Sequence, residues 1–187
     1  YHPTAFDPTR PVGSYWAATA EPLAIETPPL SGDETCDVAV IGGGYTGLSA
    51  ALHLARDHGI DVRVLERVQP GWGASGRNGG FCCLGGIKVS HATLVKRYGD
   101  AEAKRFVGEQ KAAIELVHAL SQSEGFDVDA FGDGDIEVAH DKRHVADLKE
   151  DAAFMRAVHG LDCRLYKKEE LREAGMLMAG AEGAMHM

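Results

Sequence analysis

No stretch of this sequence stays apolar for anything near the ~20 residues that a membrane-crossing helix requires. No membrane partner is therefore expected. The basic-then-apolar opening of a secretory signal is also missing from the first residues, YHPTAFDPTR. An initiator methionine is absent too, and the expected reading is a start that is missing or processed. Cysteine is scarce, with 4 in 187 residues. Cys36, Cys82, Cys83 and Cys163 match neither a zinc spacing nor CxxC. They read as reduced thiols of a cytoplasmic protein. Basic side chains are outnumbered, 19 Lys and Arg against 28 Asp and Glu, for a net charge of −9. An acidic surface repels phosphate backbones, which argues against nucleic acid. The 9 histidines are scattered, and none meets carboxylates or thiols at a metal-ligating spacing. His140 and His144 are four apart, but a strand-to-helix boundary is expected between them, so no metal is predicted. Ser75 lacks the GxSxG frame of a hydrolase elbow.

What is present is a globular balance: 44% apolar and 25% charged residues. The length suits one domain, or one domain and part of another. Residues 1–35 hold six of the seven prolines, with Tyr15 and Trp16 among them. They read as an extended arm anchored by its aromatic side chains. The character then changes. Asp37-Val38-Ala39-Val40-Ile41 is an apolar, β-branched run of the kind found in parallel strands buried on both faces. Leu48, Ala51, Leu52 and Ala55 follow at helical spacing. Gly59 falls where a helix C-cap belongs. Asp61 to Leu65 form a second strand, which completes a βαβ unit of about 30 residues.

Residues 67–87 are rich in glycine, with GWGASGRNGG at 71–80 and Gly85-Gly86 beyond. Such a stretch must be mobile or lie against something flat. Helix dominates from about 90 to 124, with Phe106, Ala113, Val117 and Leu120 on one face. Residues 134–140 alternate, Ile136 and Val138 one way and Glu137 and Ala139 the other, which predicts a strand with one solvated face. Val145, Leu148, Ala152 and Met155 form a helical stripe closed by Gly160. A strand near Leu161–Tyr166 and a short helix at 167–174 are expected next. The final AEGAMHM is read as neither strand nor helix.

Between the first strand and the first long helix stands Gly42-Gly43-Gly44-Tyr45-Thr46-Gly47. This fits GxGxxG, a weak pattern alone but a meaningful one in a strand–turn–helix context. Gly42 permits the tight turn, Gly44 lets the backbone approach a pyrophosphate, and Gly47 lets helix and strand pack closely. The helix N-terminus offers N–H groups and partial positive charge to the diphosphate. Glu66 closes the second strand, 24 residues after Gly42. A carboxylate there suits ribose hydroxyls and repels a 2′-phosphate.

The fingerprint does not choose between NAD and FAD, but the following segment does. DVAVIGGGYTGLSAALHLA at 37–55, VLER at 64–67 and GWGASGRNGGF at 71–81 resemble the D-amino-acid-oxidase-like superfamily of FAD-dependent oxidoreductases. The string Trp72 to Gly80 is most similar to its gamma-glutamylputrescine-oxidase-like members, and Ser14-Tyr15-Trp16 and Asp135 to Ala139 are similar to that group less specifically. The resemblance implies an α/β fold: a Rossmann-type, GR2-like FAD-binding domain with the beginning of an α+β substrate domain, incomplete. The boundaries expected are a Pro-rich N-terminal arm at 1–35, the FAD-binding βαβ unit and flavin loop at 36–90, and a helical segment with the start of the substrate domain at 91–187. The implied FAD contacts are Gly42, Gly44, Gly47, Glu66, Ala74, Ser75, Arg77, Asn78, Gly79 and Gly80, with Thr46 and Arg67 added. Ser75 can donate its hydroxyl to a phosphate and Arg77 can offset diphosphate charge. Asn78 offers donor and acceptor edges, and Gly79 and Gly80 leave room for a planar ring.

The activity implied is oxidation of an amine or amino acid, with hydride passing to the flavin, hydrolysis of the imine, and reoxidation by dioxygen. The cofactor would carry the hard chemistry. Catalytic residues are expected largely beyond Met187, so the 187 residues alone are expected to be inactive, with an exposed sheet edge and an open flavin groove. Two other readings remain, a non-catalytic flavin-binding subunit or fragment and an NAD-dependent dehydrogenase. A flavin domain of an RNA-modifying enzyme is disfavoured by the acidic charge. A covalent flavin link through Cys82 or Cys83 is set below the reading of both as inert thiols.

Overall fold

Strand β1 (Val38–Ile41) and strand β2 (Val62–Leu65) pair in parallel, with Val38 opposite Val62 and Ile41 opposite Leu65. This is seen in a computed structural model that describes residues 2–9, 13–20, 26–84, 89 and 91–187. Helix α2 (Tyr45–His58) makes the crossover. It stops at Gly59, whose φ of 65° is the left-handed conformation of a helix cap and whose N–H returns to Ala55 O. The βαβ unit is the one expected, but the strands are less enclosed. Val38 and Val40 are half-buried while Ala39 and Ile41 face outward, Ile41 being 79% exposed. Among the described residues only one face of this pair is covered by helix, and burial on both faces is not seen there. Among the described residues the parallel sheet has two strands.

The arm is not extended throughout. A 3₁₀ turn occupies Pro3–Phe6 and a short helix, α1, occupies Tyr15–Thr19. The hydroxyl of Ser14 caps α1 by accepting from Ala17 N–H at 3.1 Å. The arm belongs with the βαβ unit in a first compact body, Tyr1–Phe81; a second spans Cys82–Met187.

In the second body, α3 (His91–Tyr98) packs on α4 (Asp100–Ser123), the break falling at Gly99 with φ 86°. The inward side of α4 is Ala103, with Val107 and Ile114 half-buried. The stripe expected to be buried mostly faces out, with Phe106 36% and Val117 54% exposed. A three-stranded antiparallel sheet follows, in the order β3 (Ile136–Ala139), β5 (Gly183–His186), β4 (Arg164–Lys167). Helix α5 (Val145–His159) ends at Gly160 with φ 63°, and helix α6 (Lys168–Leu171) is the short helix expected after β4.

Two readings are corrected by this sheet. The segment read as neither strand nor helix supplies β5, the central strand. Neither face of the sheet is bare either. Ala139 and Met185 join Leu148, Ala152 and Cys163 in one cluster, while Ala184 joins Leu171 and Ala181 in another. The face assigned to solvent, that of Glu137 and Ala139, carries part of the core. No helix among the described residues is long and apolar enough to cross a membrane. Gly85 and Gly86 lie outside the described residues.

Candidate functional site: the helix N-terminus and the glycine-rich loop

At the carboxyl end of β1 the chain turns through Gly42, whose φ of 103° few side-chain-bearing residues adopt. Its N–H donates to Leu65 O at 2.8 Å, carrying the β1–β2 ladder one step past the strands. Gly43 is next, and it is buried. Its N–H donates to Glu66 Oε2 at 2.7 Å and its carbonyl accepts from Gly71 N–H at 2.8 Å. One residue thus ties the turn, the end of β2 and the start of the loop. A Cβ at Gly43 would lie 3.3 Å from both Glu66 Cβ and Pro70 Cα. Sequence reasoning passed over Gly43, because GxGxxG treats it as the free position; the run of three glycines was the available signal.

Gly44 is the N-cap of α2, with φ −91° and no side chain to cap with. The missing oxygen comes from 30 residues downstream: Ser75 Oγ accepts from Tyr45 N–H at 3.0 Å. A Cβ on Gly44 would sit 2.9 Å from that same oxygen. Space, not backbone conformation, therefore demands glycine here. At Gly47 a Cβ would collide with Gly42 O and stand 3.1 Å from Val40 Cγ1, which is the close helix–strand contact expected of the third glycine. Thr46 is exposed on the first helical turn. That turn carries no acidic residue, so its partial positive charge is uncompensated by the helix itself.

Glu66 is placed by the end of β2. Gly43 N–H on one carboxylate oxygen, and Val68 N–H on the other at 3.1 Å, hold its carboxyl below the usual range, with nearby Arg67 adding a smaller contribution. The group is therefore an anion at neutral pH, and each oxygen keeps a lone pair for another donor.

Ser75 lies in a 3₁₀ turn, Ala74–Gly76, and Ala74 is exposed at its start. Asn78 does not hold out both edges as expected. Its Nδ2 donates to Ser75 O at 2.9 Å, Ala74 O at 3.2 Å and Tyr45 Oη at 3.3 Å. Its Oδ1 accepts from Gly80 N–H at 2.8 Å. The side chain staples the loop to itself and to the first residue of α2. Arg77 lies over the Trp72 ring at 4.2 Å, and Arg67 approaches the same ring at 5.9 Å. Arg67 also donates to Phe6 O in the arm at 3.2 Å. Gly79 and Gly80 are exposed. Trp16, Tyr45 and Trp72 were not singled out as site residues, and nothing in their spacing marks them.

The candidate residues therefore converge on one place. Gly42, Gly44, Thr46 and Gly47 form the helix N-terminus, Glu66 and Arg67 border it, and the loop from Ala74 to Gly80 is fastened to it by Ser75 and Asn78. This arrangement fits a dinucleotide. It offers helix N–H groups for a diphosphate, a bonded carboxylate for ribose hydroxyls, and a loop whose last two residues carry no side chains. The second body has a cavity of about 400 Å³ against α3 and α4, bordered by Leu94, Tyr98 and Phe106. Its carboxylates, Glu102 and Glu109, pair with Arg105 at 2.6 and 3.8 Å.

The chain is similar to several known proteins. The family model described as FAD dependent oxidoreductase matches residues 37–187. The gamma-glutamylputrescine oxidoreductase of Escherichia coli (strain K12) is 38% identical over 143 residues, 76% of this chain and 32% of that protein. A probable oxidoreductase OrdL of Rhizobium meliloti (strain 1021) is 33% identical over 153 residues, 82% of this chain and 35% of that protein. Among solved structures, glycine oxidase from Bacillus cereus ATCC 14579 superposes with a TM-score of 0.53 at 21% identity, covering 81% of this chain and 38% of that one. The chain thus spans about a third of the length of the curated relatives named here, 32% and 35%.

Proposed function

The chain belongs to the FAD dependent oxidoreductase family, and from that membership we propose that it contributes the cofactor-holding part of an enzyme that oxidises the carbon–nitrogen bond of an amine or amino acid. The observation that carries the reading is the convergence of fingerprint, Glu66 and flavin loop on the start of α2, joined by the Ser75–Tyr45 bond of 3.0 Å. A nicotinamide dehydrogenase would have no need for a glycine-rich loop capping that helix. Two of the relatives are an oxidoreductase of gamma-glutamylputrescine and an oxidase of glycine. Both compounds bear an amine, which supports this substrate class.

Bound FAD would supply the acceptor of the electron pair. The chain's own residues do the holding. The N–H groups at the start of α2 bind the diphosphate. Ser75 accepts from Tyr45 N–H and so keeps its own hydrogen to donate to a phosphate oxygen. Glu66, ionised, accepts from the ribose hydroxyls. Arg77, steadied on Trp72, offsets diphosphate charge, while Asn78 keeps Gly79 and Gly80 in place for the planar ring. The substrate is a small amine or amino acid, and dioxygen is the final oxidant.

The test uses two proteins loaded with FAD: the 187-residue chain, and a chimera in which residues 37–187 replace the matching segment of the Escherichia coli relative. Each is mixed anaerobically with a panel of amines and amino acids, and hydrogen peroxide is measured after air is admitted. We expect both to hold flavin and the chimera alone to be bleached and to form peroxide. A chimera that holds flavin but is bleached by no amine supports the non-catalytic reading instead.

A further inference from the structure

We propose that the N-terminal arm is part of the cofactor site, with Trp16 a positioning residue that holds residues 78–80 in the form that receives the flavin. The proposal rests on the placement of FAD against the 74–80 loop given above. It does not depend on which amine is oxidised.

The contact is specific. The indole Nε1–H of Trp16 donates to Asn78 O at 2.8 Å. This is the peptide oxygen of the residue whose side chain organises the loop, and the loop's internal bonds do not use it. The same indole closes on Gly80, where a Cβ would meet Trp16 Cζ2 at 3.0 Å. Gly80 also has a φ of 76°, so the ring covers a residue already in a conformation that only glycine takes readily. On the arm side the indole is fixed by the Ser14-capped turn of α1 and by an edge-on contact with Tyr15, the ring centroids 5.0 Å apart. A second tether joins Phe6 O to Arg67, and Arg67 and Arg77 both approach Trp72. The arm therefore touches the loop at its end and is tied to Arg67, the residue after Glu66.

An arm fixed only to be out of the way would bury its tryptophan. Trp16 remains 40% exposed and spends its one donor on a loop peptide. The physical consequence is preorganisation. Asn78-Gly79-Gly80 has two glycines, and ordering such a segment on binding is costly. A loop ordered beforehand spares that cost and binds more tightly.

The experiment measures FAD affinity by quenching of flavin fluorescence, and amide hydrogen exchange of residues 78–81 without flavin, in the full chain. Trp16→Ala is expected to weaken FAD about tenfold and to speed exchange at 78–81. Trp16→Phe, which keeps a ring over Gly80 but has no donor, is expected to fall between. Far-ultraviolet dichroism of each variant checks that the helices remain. Unchanged affinity in Trp16→Ala overturns the proposal, and so does weakened affinity with wild-type exchange at 78–81. Gly44→Val separates this from the site reading. If it loses FAD while Trp16→Ala does not, the fingerprint stands and the role of the arm falls; if neither loses FAD, the placement of the cofactor falls first.

Discussion

Three glycines of the fingerprint are required for three different reasons, and each reason predicts a different failure. At Gly42 the constraint is conformation, since φ is 103° and a Cβ would meet nothing within 4 Å. At Gly44 the constraint is the Ser75 hydroxyl, 2.9 Å from where a Cβ would stand. Gly44→Val should displace Ser75 from Tyr45 N–H and block the diphosphate, abolishing flavin binding while α2 stays helical. Near-normal FAD affinity in a folded Gly44→Val chain would count against the site. At Gly47 the obstacle is Gly42 O, which is backbone and cannot step aside. Gly47→Ala should instead loosen α2 from β1, lowering the stability of the first body by roughly 1–3 kcal/mol, as overpacking does. Glu66 gives a third test. Gln keeps the size, but only one of its two terminal atoms accepts, so the NH₂ group must face either Gly43 N–H or Val68 N–H. Charge-assisted bonds are about twice as strong as neutral ones, so Glu66→Gln should cost about 1–2 kcal/mol in FAD affinity. An unchanged dissociation constant would mean that the ribose lies elsewhere. The sign of the pH effect follows from the same bonds. The folded-state pKa of Glu66 is lowered, so its contribution is present above the ordinary 4.5 and is lost as pH falls through the folded value.

Elements with strong periodicity were legible in the sequence, and those made by their surroundings were not. The βαβ unit, the Gly59 and Gly160 caps and the helix from Val145 could be read because apolar spacing and a left-handed glycine are local signals. β5 could not. Gly-Ala-Met-His has little strand propensity, and it is a strand because β3 and β4 bond to it on both sides and Met185 is wholly buried there. Small residues suit a central position flanked by two strands and covered on both faces, a context that a window of sequence does not display. The face of α4 was read only in part: Ala103 packs inward and Phe106 borders the cavity beside it, while Val117 turns out, so hydrophobicity alone did not fix the buried side. The candidate site was legible where chemistry fixes residue type, at Gly42, Gly44, Gly47, Glu66 and Ser75. Trp16 was legible as an anchor of the arm, but not as a support of the loop, and the stacking of Arg77 on Trp72 was not legible at all. Helix α5 carries its own prediction. His159, at its end, meets Phe154 and His91 with ring centroids 5.2 and 5.6 Å away. Its backbone carbonyl accepts from Lys111 Nζ, and its Nδ1 is buried with no partner among the described residues. Burial first, then His91 and Lys111, push its pKa below the ordinary 6.5. The folded state therefore holds this ring neutral while the unfolded chain protonates it. Stability of the second body should be full above about pH 6.5 and decline as pH falls toward the folded value. Urea unfolding of His159→Gln at several pH values checks this; a wild-type slope that survives the substitution assigns the titration to another group.

On the scale of the whole chain, the core is unevenly distributed. Among the described residues, every buried apolar side chain belongs to the second body, Leu148, Cys163, Leu171 and Met185 among them. Among the described residues of the first body the buried one is Gly43, which has no side chain to contribute. Apolar burial is the main source of folding free energy, so the two bodies should not unfold as one. The first, held by the β1–β2 ladder, the caps of α2 and the loop bonds, should open first, with β1 and α2 exchanging their amides well before β5. A ligand that binds only the folded form stabilises by mass action, by about 2.7 kcal/mol at a free concentration 100 times its dissociation constant. FAD acts through residues of the first body alone in this reading. At that concentration, exchange at Val38–Ile41 should slow by about a hundredfold, while exchange at Gly183–His186 should not change. Hydrogen exchange followed by mass spectrometry reads both strands in one sample. Equal slowing of the two would show a single cooperative body, and would mean that flavin binding is felt as far as the sheet built around β5. No slowing at Val38–Ile41, in a sample that has taken up flavin, would remove the cofactor from the end of β1 altogether.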